Sequence, residues 1–302
     1  MTSNLRTVVT VVGLIIFGVA ALISGWYGPH NYDFDEEHIG LAVDQSEYLS
    51  YGEMARLFPL FFLVLVLAAF SGGWREIGFI PSLRGKGVTW LLFILAYPTV
   101  ITVSIFVGAV VNALSFTMLH LDSYLENVGY NLVWFLPASL AGEVIWRGYF
   151  TNQLVKLRLK SWHIYLIVTV VWWLWWVPTW NGTMIKNYHF AEFKISGITV
   201  VVATLFMFFC WSVFYTESFR LTRSIWPGVI TYFFMSMCSM PEFVQDITSA
   251  NIVFVVLVPA ALLGVIGFTL SRYEEPAHQS EGSSQVVDVC DNGGIKKGSD
   301  GT

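Results

Sequence analysis

Residues 141–150 read Ala-Gly-Glu-Val-Ile-Trp-Arg-Gly-Tyr-Phe, and they place two opposite charges inside a long hydrophobic segment. Glu143 and Arg147 are four residues apart with the carboxylate on the N-terminal side, which is the favourable order for an ion pair on an α-helix. A charge at bilayer depth is costly, so such residues face a protein interior and usually mark function. We therefore expect Glu143 and Arg147 to contact each other inside the protein, and to be the buried charges of the chain.

The composition indicates a membrane protein. Hydrophobic residues make up 55% of the 302 residues and charged residues only 12%, which is about half the charged fraction of a soluble domain. Apolar segments long enough to cross about 30 Å of hydrocarbon occur at 7–25, 54–71, 88–118, 131–151, 162–180, 196–218, 222–241 and 250–271. We predict an all-α polytopic membrane protein, a bundle of about eight transmembrane helices. Because 88–118 is overlong, seven and nine spans also fit.

Charges in the connections predict the orientation of this bundle. Three connections are basic, with Arg75, Arg84 and Lys86, then Lys156, Arg158 and Lys160, then Arg220 and Arg223. The segment 26–55 is acidic and has no base. By the positive-inside rule the basic connections are cytoplasmic. An even number of spans then places both termini in the cytoplasm, with the protein in the cell membrane, or in the inner membrane of a bacterium.

The composition changes near residue 272. The segment 273–302 is rich in Ser, Gly and Asp and is too polar to bury a core, so we predict a transmembrane domain over 1–272 and a disordered acidic cytoplasmic tail over 273–302. The chain has no basic face of the kind that binds nucleic acid. Membrane lipids are the partners that the composition predicts.

Three segments in register resemble the motifs of a membrane-protease family. The run from Glu143 to Tyr149, with Trp146-Arg147-Gly148-Tyr149 at its end, resembles the first motif, which usually reads Glu-Glu-x-x-x-Arg. The segment 172–178 (Trp-Trp-Leu-Trp-Trp-Val-Pro) resembles the second motif, and 222–229 (Thr-Arg-Ser-Ile-Trp-Pro-Gly-Val) resembles the run into the third. Over about 130–240 the chain thus resembles the CPBP or Abi family of CAAX prenyl proteases and bacteriocin-processing proteins.

The resemblance implies an intramembrane endopeptidase that cuts near the cytoplasmic face. In that family the first Glu and the His of the second motif hold an activated water or a divalent metal, and the His and Asn of the third motif bind substrate or stabilise the oxyanion. Glu143 and Arg147 are retained motif residues and hence the candidate catalytic residues. The other four positions carry Gly142, Trp176, Tyr232 and Ser236.

These four replacements remove the groups that the family's chemistry uses. None of the six histidines lies at depth in a predicted span, so we predict no metal and no cofactor. The resemblance then implies a catalytically degenerate member, a pseudoprotease that binds a hydrophobic or lipidated peptide. It also implies that Gly142, Trp176, Tyr232 and Ser236 line one interior region.

Other interpretations fit the same residues. Glu143 could serve an active endopeptidase with an unrecognised set of ligands, or the chain could be a transporter, although it shows no inverted repeat. Glu143 and Arg147 could instead be a purely structural pair. Gly142 and Ala138 form a small-xxx-small pattern that predicts close helix packing. The four tryptophans of 172–176 suit either core packing or an aromatic pocket for an isoprenoid or acyl chain.

Overall fold

The computed structural model describes residues 3–30, 45–71, 74–80, 87–111, 132–133, 135–179, 197–238 and 256–284. These residues form helices and short turns, and no β-strand occurs in these ranges, so the all-α prediction is confirmed for them. The helices are α1 (Ser3–His30), α2 (Gln45–Ser71), α3 (Gly87–Val110), α4 (135–156), α5 (Ser161–Thr179), α6 (Gly197–Thr222), α7 (Trp226–Cys238) and α8 (Val258–Ser284). A 3₁₀ turn at Trp74–Ile77 follows α2.

Each helix overlaps one apolar segment of the sequence, because a continuous apolar run satisfies its backbone groups within one helix. Several boundaries differ from the expected ones. Helix α2 begins at Gln45, well before the predicted segment 54–71. Helix α3 ends at Val110, and most of the remainder of the overlong segment 88–118 lies outside the described residues. Helix α8 continues past residue 272 to Ser284. Of the predicted tail, 285–302 lie outside the described residues.

Three of the described helices are long and apolar enough to cross a membrane, judged by length and composition. They cover Thr7–Trp26, Gly87–Val110 and Val201–Thr222. Shorter apolar helices occur at Arg56–Phe70, Ser161–Val177 and Val258–Arg272. Large apolar side chains such as Ile15, Phe62 and Phe106 are more than half exposed, as expected for helices that face lipid. The number of about eight transmembrane helices stays a prediction.

Helix α4 lies in the interior of the bundle. Helix α1 packs against α2 and α5, α6 packs against α5 and α8, and α3 packs against α7 and α8. The middle of α4 contacts α2, α5, α6 and the 3₁₀ turn. Phe17 of α1 also packs against Trp146 and Phe150. The residues that carry the first motif therefore meet several other elements, and their environment is built from distant parts of the sequence.

The basic connections meet at one end of this bundle. Asn152 Nδ2 donates to the carbonyl oxygen of Glu76 over 3.0 Å, and Lys156 forms an ion pair with the Glu76 carboxylate. Ser224 Oγ and the Ile225 backbone N–H both donate to the Gly78 carbonyl oxygen over 3.2 Å. The connections after α2, α4 and α6 are thus neighbours, which agrees with the alternation of charge along the chain.

Candidate functional site

The charged decapeptide is not a regular α-helix. Residues Val144–Thr151 are π-helical, and all eight residues are buried. Thr151 Oγ1 donates to the carbonyl oxygen of Trp146, five residues earlier, over 2.8 Å. The expectation of a continuous α-helix is therefore wrong here. π-Helical segments are rare and occur often at functional sites, so we call Val144–Thr151 the π segment and take it as the centre of the site.

Glu143 and Arg147 form the predicted ion pair. Arg147 Nη1 lies 3.1 Å from Glu143 Oε1, and the side chains are 1% and 4% exposed, respectively. The expected contact and its burial are both confirmed. A buried pair of this kind depends on both partners, because removing one leaves the other as an uncompensated charge.

The Arg147 guanidinium contacts two aromatic rings that are nearly perpendicular to each other. Its central carbon is 4.2 Å from the Trp172 ring centre and 4.4 Å from the Tyr215 ring centre. Both contacts are close enough for cation–π attraction, which is strongest away from water. Nε and Nη2 are buried and have no hydrogen-bond partner among the described residues. One carboxylate and two rings thus contact the guanidinium. Its Nε and Nη2 nitrogens donate no hydrogen bond to a described residue.

Gly228 makes room for the Glu143 carboxylate. A Cβ atom built on Gly228 would overlap Oε2 and the carboxyl carbon of Glu143. Helix α7 can therefore approach α4 closely at this point only because residue 228 has no side chain. This role was not predicted, although the segment 222–229 was singled out as part of a motif. It needs the contact between two helices, which the sequence does not show.

A small cavity lies beside the ion pair. Its volume is about 20 Å³, which is room for one water molecule. Its wall consists of Leu57, Ala138, Ser139, Gly142, Glu143, Trp146, Arg147, Trp172, Trp175, Trp176 and Tyr232. The structure thus brings together Gly142, Trp176 and Tyr232 from three helices. Ser236 follows Tyr232 by four residues on α7, and its side chain lies outside the described residues.

Gly142 faces open space and not a packed helix. A Cβ atom at this position would meet no atom of another described element within 4 Å. Ala138 is buried in the core, whereas the close helix packing predicted at Gly142 is not found among the described residues. Gly142 instead adds no side chain to the cavity wall at the position where the CPBP family carries its first Glu.

Aromatic side chains fill most of the space around the pair. Trp146 of the π segment contacts Trp172 and Trp175, with ring centres 6.1 and 5.7 Å apart. Trp175 contacts Trp176 at 5.3 Å, and its Nε1 donates to Ser24 Oγ over 3.1 Å. Because each indole packs on the next, the four tryptophans form one continuous aromatic part of the cavity wall.

Two further charges are buried, so the expectation that Glu143 and Arg147 would be the buried charges of the chain is wrong. Arg56 is 2% exposed, and its guanidinium lies 4.8 and 5.3 Å from the ring centres of Trp175 and Trp176. The sequence signal was available, because Arg56 falls inside the predicted span 54–71.

Glu217 is the second such charge, and it is 1% exposed on α6. Its Oε1 accepts a hydrogen bond from the Tyr165 hydroxyl over 2.5 Å and one from Arg220 Nη1 over 2.8 Å. Arg220 Nη1 also donates to Ser161 Oγ over 2.7 Å. Glu217 and Arg220 are three residues apart, a spacing that predicts a helical pair. This polar cluster joins α5 to α6 near the basic end of the bundle.

The described residues contain no group of three or more His, Cys, Asp or Glu side chains that could hold a metal ion. His163 is exposed at the start of α5. No family model matches the chain, and no curated protein matches it. The likeness to the CPBP family therefore rests on the motif residues themselves.

The described residues of the cavity wall include no imidazole. An indole N–H is a donor only, so Trp176 cannot take a proton as an imidazole would. The Glu143 carboxylate is engaged by Arg147, which competes with a water for the same oxygen. The unused Arg147 donors and the apolar walls favour an uncharged, largely apolar guest with one acceptor oxygen.

Proposed function

We propose that this is an integral membrane protein of the CPBP type whose catalytic centre has been replaced by a buried ion pair packed in aromatic rings. In this proposal the protein binds a hydrophobic or lipidated peptide at the membrane and does not cleave it. Three helices apolar enough to cross a membrane support the location. The motif resemblance supports the class of ligand, since CAAX-type enzymes act on lipidated peptides.

One observation carries the proposal. Gly142, Trp176 and Tyr232 stand at three motif positions and line a single cavity with Glu143 and Arg147. The motif alignment implies this convergence, although the three residues are far apart in the sequence. The same observation argues against the family's hydrolysis, because no imidazole is among the described lining residues and the Glu143 carboxylate is paired with Arg147.

Equilibrium binding of a farnesylated peptide to the purified full chain tests the proposal. The peptide carries a fluorophore, and the same peptide without the farnesyl group is the control. We expect fluorescence anisotropy to show tighter binding of the farnesylated form, with the bound peptide recovered at its original mass. Equal binding of both peptides would contradict the proposal.

A matched pair of variants shows whether the cavity is involved. Trp176 lines the cavity, whereas Trp162 is 57% exposed at the start of α5. Trp176→Ala is expected to change the affinity for the farnesylated peptide, and Trp162→Ala is expected to leave it unchanged. If both variants bind like the unmodified protein, the ligand lies elsewhere.

A further inference from the structure

The Arg147 guanidinium has one unused edge. Nη1 contacts Glu143, and the Trp172 and Tyr215 rings, whose centres are 6.1 Å apart, lie on two adjacent sides of the guanidinium. The donors without a partner among the described residues are Nε and Nη2. These two nitrogens share one edge of the guanidinium, where their N–H groups are parallel and fit an oxygen acceptor. Buried donors are rarely left unmet, so this edge indicates a missing acceptor.

The charge of the pair indicates a neutral acceptor. Glu143 already balances Arg147, and a second carboxylate would place a net negative charge in a wall made mainly of aromatic rings. Taking such a charge out of water is costly. A carbonyl oxygen carries no net charge and has two lone pairs, so one carbonyl can accept from both Nε and Nη2.

The size of the cavity leads to the same conclusion. A volume of about 20 Å³ holds one water-sized group, which is the size of a single oxygen atom and not of a side chain. Gly142 is half-buried on the wall with open space at its Cβ position. A group that extends out of the cavity past Gly142 would therefore meet no obstacle there.

We propose that Arg147 binds a backbone carbonyl oxygen of the hydrophobic peptide, which enters the cavity past Gly142. This inference rests on the proposed function and names the residue that recognises the peptide backbone. The peptide donates no proton and forms no covalent bond in this step. Arg147 is thus a binding residue, and Glu143 is a positioning residue that holds its guanidinium.

Isotope-edited infrared spectroscopy of the full chain in detergent tests the inference. The probe is an acetylated, amidated oligoleucine peptide with one ¹³C-labelled carbonyl, and its affinity is measured in parallel. The double variant Glu143→Leu/Arg147→Met removes the donors without stranding a charge and adds no amide donor. Gly142→Leu blocks the entrance and keeps Arg147, and Lys160→Met at an exposed position is the control.

We expect the ¹³C band of the bound peptide to move to lower wavenumber in the unmodified protein and in Lys160→Met. The shift should be lost in the double variant, with affinity about 10- to 100-fold weaker, as for the loss of hydrogen bonds to a charged group. Gly142→Leu should give the same loss while the ion pair persists, which separates blocked binding from misfolding.

Three outcomes would overturn the inference. Equal affinity and an equal band shift in the unmodified protein and the double variant would leave peptide binding standing and remove Arg147 from it. No binding of this peptide to the unmodified protein would overturn the inference, and no binding of the farnesylated peptide either would overturn the proposed function as well. The third outcome uses phosphatidylcholine with a ¹³C-labelled ester carbonyl and no peptide. If its band shifts in the unmodified protein and not in the double variant, Arg147 Nε and Nη2 bind a lipid ester.

Discussion

At the residue scale, the site depends on one charged pair and on the two glycines beside it. Glu143 and Arg147 could be predicted as a buried pair from their spacing and their apolar surroundings. The roles of Gly142 and Gly228 could not, because they depend on which helix faces each glycine. The structure shows that the two glycines have different surroundings. Gly228 lies against the Glu143 carboxylate, and Gly142 faces open space among the described residues.

The two glycines should respond oppositely to the same substitution. Gly228→Ala introduces an overlap with Glu143 and should destabilise the protein by about 1–3 kcal/mol. Gly142→Ala meets no neighbour and should be neutral or stabilising by up to about 1 kcal/mol, since Ala favours a helix over Gly. Thermal unfolding in detergent, followed by tryptophan fluorescence, measures both. Equal losses in the two variants would show that α4 and α7 do not approach each other as described.

The ion pair should tolerate joint replacement better than the loss of one partner. Arg147→Ala leaves Glu143 buried and unpaired and should cost roughly 3–5 kcal/mol. Glu143→Leu/Arg147→Met keeps similar volumes without charge or an unpaired amide and should recover most of that loss. Arg56→Ala is not a suitable control, because Arg56 is itself buried against tryptophan rings. Lys160→Ala, at an exposed position, is the control instead.

Folded yield and unfolding temperature report the result for the ion pair. If Arg147→Ala behaves like Lys160→Ala, the pair does not stabilise the fold. If the double variant is as damaged as Arg147→Ala, the loss comes from the rings that pack on the guanidinium and not from the stranded carboxylate.

At the element scale, helices could be predicted well and their internal geometry could not. The apolar runs of the sequence locate the helices, because length and hydrophobicity are local properties. The π segment has no such local signal, since its eight residues fit an α-helical pattern equally well. It forms in contact with α2, α5, α6 and the 3₁₀ turn, so tertiary packing decides the backbone here.

The Thr151 hydroxyl should stabilise the π segment. It is fully buried and donates to the Trp146 carbonyl oxygen. Thr151→Val keeps the shape, removes this bond and should cost about 1 kcal/mol. Thr102→Val removes a similar bond to the Pro98 carbonyl oxygen, but on an exposed face of α3, and should cost much less. A thermal shift of the same size in both variants would exclude a special role for Thr151.

The polar cluster between α5 and α6 should be equally sensitive. Tyr165→Phe removes the hydroxyl that donates to the buried Glu217 carboxylate, a bond to a charged group that should be worth about 1.5–3 kcal/mol. Tyr149 is the control, because its ring is buried in the same bundle. Its hydroxyl lies against Gly13 and has no carboxylate partner among the described residues. The expected order of unfolding temperatures places Tyr165→Phe below Tyr149→Phe, and the reverse order would contradict it.

At the scale of the whole molecule, the charge pattern predicted that three basic connections lie on one side, and hydrogen bonds between those connections agree. Which helices touch could not be predicted from composition or periodicity, because lipid-facing and buried faces are both apolar. Only the motif resemblance indicated that α4, α5 and α7 converge. Where these helices converge, aromatic rings occupy the positions at which the CPBP family carries imidazoles. This replacement is the central claim about the molecule.

Cleavage of a farnesylated CAAX-type peptide by the purified protein, followed by mass spectrometry, tests that claim most directly. We predict that the peptide stays intact at the background rate, unaffected by a chelator and identical for the unmodified protein and Glu143→Gln. Each lost acid–base group typically removes about 10²–10⁴-fold in rate, and several are replaced together. Chelator-sensitive cleavage that Glu143→Gln abolishes would contradict the account and establish an active endopeptidase.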